Sequence, residues 1–182
     1  MYSTDGELID TVDISGTPTG TTTRAQVHRL GLWHRSVHVW VRTPDGQLVF
    51  QQRSALKDSH PGKWDISVGG HVGAGDEPLG AALREVMEEL GLAVERNDLE
   101  YLFPIVQTYD DSQRDFHDRE LVSVFLLRPP FCLSQLSPSP HEIIGLRQVE
   151  ARHLPDLDIE QFVPHADEYR MLFSVLTASS HA

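Results

Sequence analysis

A chain of 182 residues with 40% hydrophobic and 23% charged residues has the composition of one globular domain, residues 1–182, with no low-complexity run. Its formal net charge of −12 argues against the basic surface that a nucleic-acid polymer or an anionic membrane would select. An anionic small molecule remains a suitable partner wherever cations or a metal gather locally. There is no apolar run of about 18 residues, and Met1 to Thr17 carries neither a basic nor an apolar leader segment. The lone Cys132 can build neither an internal disulfide nor a cysteine metal site. The expectation is a cytoplasmic protein, monomer or homodimer.

Turn residues divide the chain. Asp5-Gly6 and Ser15 to Gly20 bracket a strand, Glu7 to Asp13, which predicts an N-terminal β-hairpin. Val37, Val39 and Val41 alternate with His38, Trp40 and Arg42, and Pro44-Asp45-Gly46 turns the chain into a second strand, Gln47 to Gln52, for a second hairpin. An extended piece, Trp64 to Val68, ends at Gly69-Gly70. A helix follows: Pro78 suits its first turn, Leu79, Ala82, Leu83, Val86 and Leu90 fall at helical spacing, and Gly91 stops it. Two strands, Tyr101–Tyr109 and Leu121–Leu127, flank a polar loop, Asp110 to Arg119. A short strand, Ile144 to Val149, and a helix, His165 to Thr177, complete the chain. The three tryptophans, Trp33, Trp40 and Trp64, read as packing residues. Strands and helices without strict alternation predict an α/β fold with a mixed sheet between helices.

The chemistry concentrates in GGHVGAGDEPLGAALREVMEELGL, Gly69 to Leu92. Glu85, Glu88 and Glu89 stand at i, i+3 and i+4, so they share one helix face. Like charges so placed repel, and a hard divalent cation reverses that sign, with Mg²⁺ taking carboxylates, water and substrate phosphate. Arg84 can orient Glu85 through forked hydrogen bonds. The glycines let backbone come close to metal or phosphate. A solvated charged helix would explain a Glu-Glu pair alone, but here the match is longer.

The segment resembles the Nudix box, G-x5-E-x7-R-E-U-x-E-E-x-G-U with U apolar, through Gly70, Arg84, Glu85, Val86, Glu88, Glu89, Gly91 and Leu92. Six identities at about 7% background each agree by chance on the order of 10⁻⁷ of the time, which disposes of the solvated-helix explanation. One position departs, because Asp76 occupies the place of the box's first Glu. The resemblance implies the Nudix α/β/α sandwich and metal-dependent cleavage of a diphosphate bond in a small molecule, such as a nucleoside diphosphate derivative. It implies Mg²⁺ (or Mn²⁺) held by Glu85, Glu88 and Glu89, with the Gly69 carbonyl and Glu120 as further ligands. Arg84, Glu85, Glu88 and Glu89 are then the catalytic set.

A second resemblance covers about residues 7–150. The runs HRLGLWHRSVHVWV and LVFQQRSALKDSHPGKWDISVGGHV look like the branch containing isopentenyl-diphosphate isomerase. In that enzyme a cysteine precedes the box; here Gly69 stands in its place and has no proton to exchange. The isomerases also degrade the R-E-U-x-E-E core, which is complete here, so hydrolysis is the expectation. Positions retained from that branch imply a second metal site on His28, His34, His71, Asp118 and Glu120, and diphosphate contacts from Arg53 and Lys57. An isomerase-like enzyme and a non-catalytic ligand sensor are the competing readings.

Overall fold

The computed structural model describes residues 6–128, 133–158 and 160–178, so Asp5 of the first expected turn and Cys132 lie outside the described residues. The expected N-terminal hairpin is present. β1 (Leu8–Val12) and β2 (Pro18–Thr23) pair antiparallel, Leu8 opposite Thr23. The turn is held by the Asp13 carboxylate, which accepts from the amides of Ser15 at 2.9 Å and Thr17 at 3.0 Å.

β2 runs directly into α1 (Arg24–Leu30), an element the sequence reading did not place. Thr23 caps its N-terminus, and Gly31, at φ 60°, ends it in the left-handed conformation. The helix has seven residues and buries only Val27 and His28, too short for a 3.6-residue period to declare itself.

β3 (His34–Val41) is the central strand. It pairs antiparallel with β1 and with β6 (Val68–His71), and parallel with β8 (Phe116–Leu127), which pairs antiparallel with β7 (Leu99–Asp111). These make a six-stranded mixed sheet. Two expectations fail around β3. β4 (Gln47–Arg53) does not form a hairpin with it; a single bridge, Arg42 to Leu48, joins them before β4 enters a three-stranded sheet with β5 (Trp64–Asp65) and β9 (Ile143–Glu150). The extended piece Trp64 to Val68 is likewise split between the two sheets. Ser67 explains both. Its hydroxyl accepts from the Val41 amide at 2.8 Å and donates to the Val49 carbonyl, occupying the ladder position where β3 and β4 would have paired.

The polar loop expected over Asp110 to Arg119 is mostly strand, with the turn confined to 112–115. Its polar side chains pair across the ladder: Arg119 reaches both Asp110 oxygens at 2.7 and 2.9 Å, and His117 Nδ1 lies 2.7 Å from the same carboxylate.

The two faces of β3 feed two cores. Val37, Val39 and Val41 pack with Ala81, Ala82, Val86 and Leu90 of α2 (Pro78–Leu90). Trp40 packs with Val122, Val124 and Leu126 of β8 and with Tyr169, Leu172 and Leu176 of α3 (Ala166–Ala178). Helices thus cover both faces of the mixed sheet, an α/β/α arrangement. No described helix is long and apolar enough to cross a membrane.

Candidate active site and metal centre

α2 begins with Pro at its first turn, ends at Gly91 with φ 66°, and buries Ala81, Ala82, Val86 and Leu90. That register turns Glu85 and Glu89 partly inward and leaves Glu88 outside. Glu85 lies against β6. A β-carbon on residue 70 would fall 2.1 Å from its Cδ, so the carboxylate fits only because residue 70 is glycine. Arg84 clamps the arrangement: NH1 is 2.7 Å from Glu85 and 3.3 Å from Glu88, while NH2 donates to the His71 carbonyl at 2.9 Å. Burial, with Glu89 and Glu88 nearby and Arg84 opposing, pushes the Glu85 carboxyl up to about 8.

Glu89 is buried and accepts from Gln51 Nε2 at 3.1 Å and Lys57 Nζ at 3.2 Å. Burial raises its pKa despite the lysine. Lys57 also pairs with Glu142; burial would depress the ammonium, but Glu89 and Glu142 outweigh it and hold the pKa above the usual lysine value. Four carboxylates, Glu85, Glu88, Glu89 and Glu142, stand against two cations, Arg84 and Lys57, an excess of acidic groups that a divalent cation would relieve, and their hard oxygens suit Mg²⁺ or Mn²⁺.

The expected histidine set converges. Ligand atoms of His28, His34 and His71 lie within 4.8 Å of one another, as do those of His34, Asp118 and Glu120. The parallel β3–β8 register sets Glu120 beside His34, so Glu120 stands with the histidine group. His28 Nε2, His34 Nε2 and Asp118 Oδ1 are buried without a hydrogen-bond partner. Orphaned lone pairs aimed at a common region fit a bound cation. Burial, with Arg24 nearby, lowers His28 to about 3, and burial holds His34 and His71 below the ordinary histidine value. Asp118 is pushed up to about 7 by burial and the neighbouring Glu120.

Arg53 faces a different partner. Its NH1 is 2.6 Å from Asp65, and its Nε and NH2 donate to Ser59 at 2.9 and 3.1 Å. Gly69 pairs with His38 in the β3–β6 ladder, and a β-carbon there would stand 3.2 Å from Ile66 Cδ1 and 3.6 Å from His38 Cδ2. Trp40 is fully buried and donates to Glu168 at 2.7 Å; Trp64 lies under Arg147, 5.9 Å from its centroid.

Sequence reasoning missed a buried polar network on the α3 side of the sheet. His38 Nδ1 is 2.8 Å from Glu168, and His165 spans Asp65 at 2.8 Å and Gln107 at 3.0 Å. Its members come from β3, β5, β7 and α3, with His38 and Glu168 130 positions apart, and no local pattern could have linked them. Gln51 and Glu142, which hold the Glu89–Lys57 pair, were missed for the same reason.

On a mixed sheet covered on both faces, one helix thus seats Glu85 against a glycine of β6 and groups it with buried Glu89 and exposed Glu88, a set of oxygen donors that a divalent cation could use. The NUDIX domain family matches residues 32–170, and the chain belongs to that family. It is 37% identical over 170 residues to Nudix hydrolase 3 of Arabidopsis thaliana, covering 92% of this chain but only 20% of that longer protein. It is 29% identical over 183 residues to an isopentenyl-diphosphate Delta-isomerase of Streptomyces avermitilis, covering 95% of this chain and 88% of that protein. A crystal structure of a Deinococcus radiodurans protein superposes with TM-score 0.68 at 26% identity, covering 90% of this chain and 98% of the other.

Proposed function

We propose that the chain is a hydrolase that uses Mg²⁺, or Mn²⁺, to cleave the diphosphate bond of a small molecule, with a nucleoside diphosphate derivative as the substrate class. The observation that carries the reading is the Glu85 carboxylate, seated against Gly70, clamped by Arg84 and grouped with Glu88 and Glu89. Glu85, Glu88 and Glu89 would hold the metal, with the Gly69 carbonyl beside them on β6. A divalent ion held there would supply positive charge for the phosphate oxygens and Lewis acidity for the attacking water. Arg84 keeps Glu85 oriented through its hold on the His71 carbonyl, and Lys57 brings positive charge to Glu89 and to a phosphate approaching it. Arg53, whose guanidinium is held by Asp65 and Ser59, would contact the diphosphate only by giving up part of that hold. Glu85, fixed by Arg84, or a carboxylate beside it would accept the water proton. The acidic charge of −12 agrees with a small-molecule substrate and with neither a nucleic-acid polymer nor a membrane as partner, and the setting we assign is cytoplasmic.

A second ion on His28, His34, His71, Asp118 and Glu120 completes the proposal, supported by their convergence and the orphaned Nε2 and Oδ1 atoms. The test is a panel of nucleoside diphosphate derivatives assayed for phosphate-bond cleavage with Mg²⁺ or Mn²⁺, alongside isopentenyl diphosphate for isomerisation. Metal-dependent cleavage of a panel member is the expected result. Isomerisation without cleavage would overturn it.

A further inference from the structure

A pocket of about 250 Å³ opens beside the histidine group, lined by Arg24, His28 and Arg29 of α1, by Asp58, and by Arg114 and Phe116 at the β7–β8 turn. Pockets that enclose a whole drug-sized ligand run to about 300–1,000 Å³, so this one is sized for a chemical group. Three of the chain's 15 lysines and arginines meet here, in a protein of net charge −12. Two aspartates also line it, and both are engaged. Asp58 holds Arg24 NH2 at 2.7 Å and its backbone carbonyl accepts from Arg114 NH1 at 2.5 Å, while the Asp115 carboxylate lies 3.7 Å from His117 Nε2. Asp58 therefore draws two guanidinium groups to one wall. Arg29, in the last turn of α1, has no ion-pair partner among the described residues. Arg24 is balanced by Asp58, and Arg114 Nε lies 3.7 Å from Asp111, so Arg29 carries the charge that no described carboxylate balances; a tetrahedral or planar oxyanion accepting from its fork, with Arg114 and Arg24 beside it, would answer that charge.

The pocket connects to the helix carboxylates through a short series of contacts. Arg84, bound to Glu85, donates to the His71 carbonyl at 2.9 Å; the His71 and His28 rings are 5.1 Å apart; and His28 stacks on Phe116 at 4.5 Å. These contacts join His28, in the wall of the pocket, to the strand that Arg84 holds beside Glu85.

We propose that this pocket, with Arg29 and Arg114 as its outer walls and Arg24 as its inner one, binds a second anionic group of the substrate, a phosphate separate from the diphosphate that is cleaved. The inference rests on the hydrolase reading above and narrows it: preferred substrates carry a phosphate at the end remote from the scissile bond. Phosphate held there raises selectivity by ordering the remote end, which lowers KM while leaving the reacting atoms to α2.

The experiment has a binding arm and a kinetic arm. In the first, crystals of the full chain are soaked in sodium selenate, a tetrahedral dianion located by its anomalous signal, for wild type and for the R29A/R114A double variant. Expected is selenate against Arg29 and Arg114 in wild type and none in the variant; that result supports the pocket even if no hydrolysis is found, so the two readings fail separately. An empty pocket in wild type, or selenate retained in the variant, overturns it. In the second, kcat/KM is compared for pairs of diphosphate substrates that carry or lack the remote phosphate. The ratio within a pair falls at least ten-fold in the double variant, through KM rather than kcat. Selenate bound without any change in that ratio means an adventitious ion only, or a site for free phosphate, and overturns the substrate assignment.

Discussion

The Glu85 carboxyl carbon lies 2.1 Å from where a β-carbon on residue 70 would be, a separation that only a glycine at position 70 permits. Gly70→Ala therefore cannot be absorbed without moving Glu85 off its seat, since the colliding atoms include Cγ near the helix backbone. The expected outcome is a fall in kcat of at least about 100-fold, in line with the loss of a positioned catalytic group. Overpacking costs on the order of 1–3 kcal/mol, so the fold persists with a lowered Tm. Circular dichroism and turnover measured on the same preparation check both halves; a fully active G70A would remove Glu85 from the site.

Glu88 and Glu89 share the metal in our reading but differ in what else they do, so their amides should separate function from stability. Glu88 is exposed and, among the described residues, pairs with Arg84 at 3.3 Å. Glu88→Gln is expected to cost several orders of magnitude in turnover with Tm essentially kept. Glu89→Gln leaves the partly buried Lys57 with Glu142 alone and should lower Tm as well as turnover. Isothermal titration with Mg²⁺ and thermal melts check this, and wild-type turnover of either variant at saturating Mg²⁺ would sink the metal assignment.

Chelation gives a direct test. EDTA should abolish hydrolysis, and Mg²⁺ or Mn²⁺ should restore it, because hard carboxylate oxygens favour those ions. Turnover undiminished in EDTA would be incompatible with the mechanism.

The box could be read from the sequence because its information is local: a helix of 13 residues and the loop before it place Gly70, Arg84 and the three glutamates by spacing alone. The β-elements were legible where alternation marked a buried face, as in β3. They were misjudged where side chains from elsewhere decided the pairing. Ser67, bridging the backbones of Val41 and Val49, divides what looked like a hairpin into two sheets, and nothing near position 43 announces it. The polar run 110–119 looked like a loop because its charges face one another across the ladder, and composition does not show Arg119 meeting Asp110.

The His38–Glu168 pair predicts a pH signature in stability. Burial alone would lower the His38 pKa, but Glu168 at 2.8 Å outweighs it and raises the value from 6.5 to about 9. A group whose folded pKa is raised contributes stability that is fully present below its unfolded pKa and is lost as pH rises through the folded one. The window is pH 6.5 to about 9. Urea unfolding of wild type and of His38→Gln should show a stability difference that shrinks across this window. A difference independent of pH would mean that His38 is neutral in the folded protein.

The histidine group makes the last prediction. His28, His34 and His71 bring ligand atoms within 4.8 Å of one another, and burial keeps all three imidazoles unprotonated at neutral pH. Neutral imidazole is the form that binds metal, so these residues release no proton on doing so. Asp118, pushed up to about 7, and Glu120, also raised by burial, are the groups that must lose protons, and metal uptake should therefore strengthen as pH rises. Imidazole nitrogen suits Zn²⁺ or Fe²⁺ better than Mg²⁺, and either ion distinguishes this site from the carboxylates of α2. Metal analysis of the purified protein should show one equivalent of such an ion that dialysis against Mg²⁺ does not replace. His34→Ala with His71→Ala should remove that equivalent while Mg²⁺ still titrates Glu85, Glu88 and Glu89. Since His28 Nε2, His34 Nε2 and Asp118 Oδ1 are orphaned without an ion, its binding should also raise Tm. An unchanged Tm on adding Zn²⁺, together with no retained metal, would return the three histidines to a purely structural role.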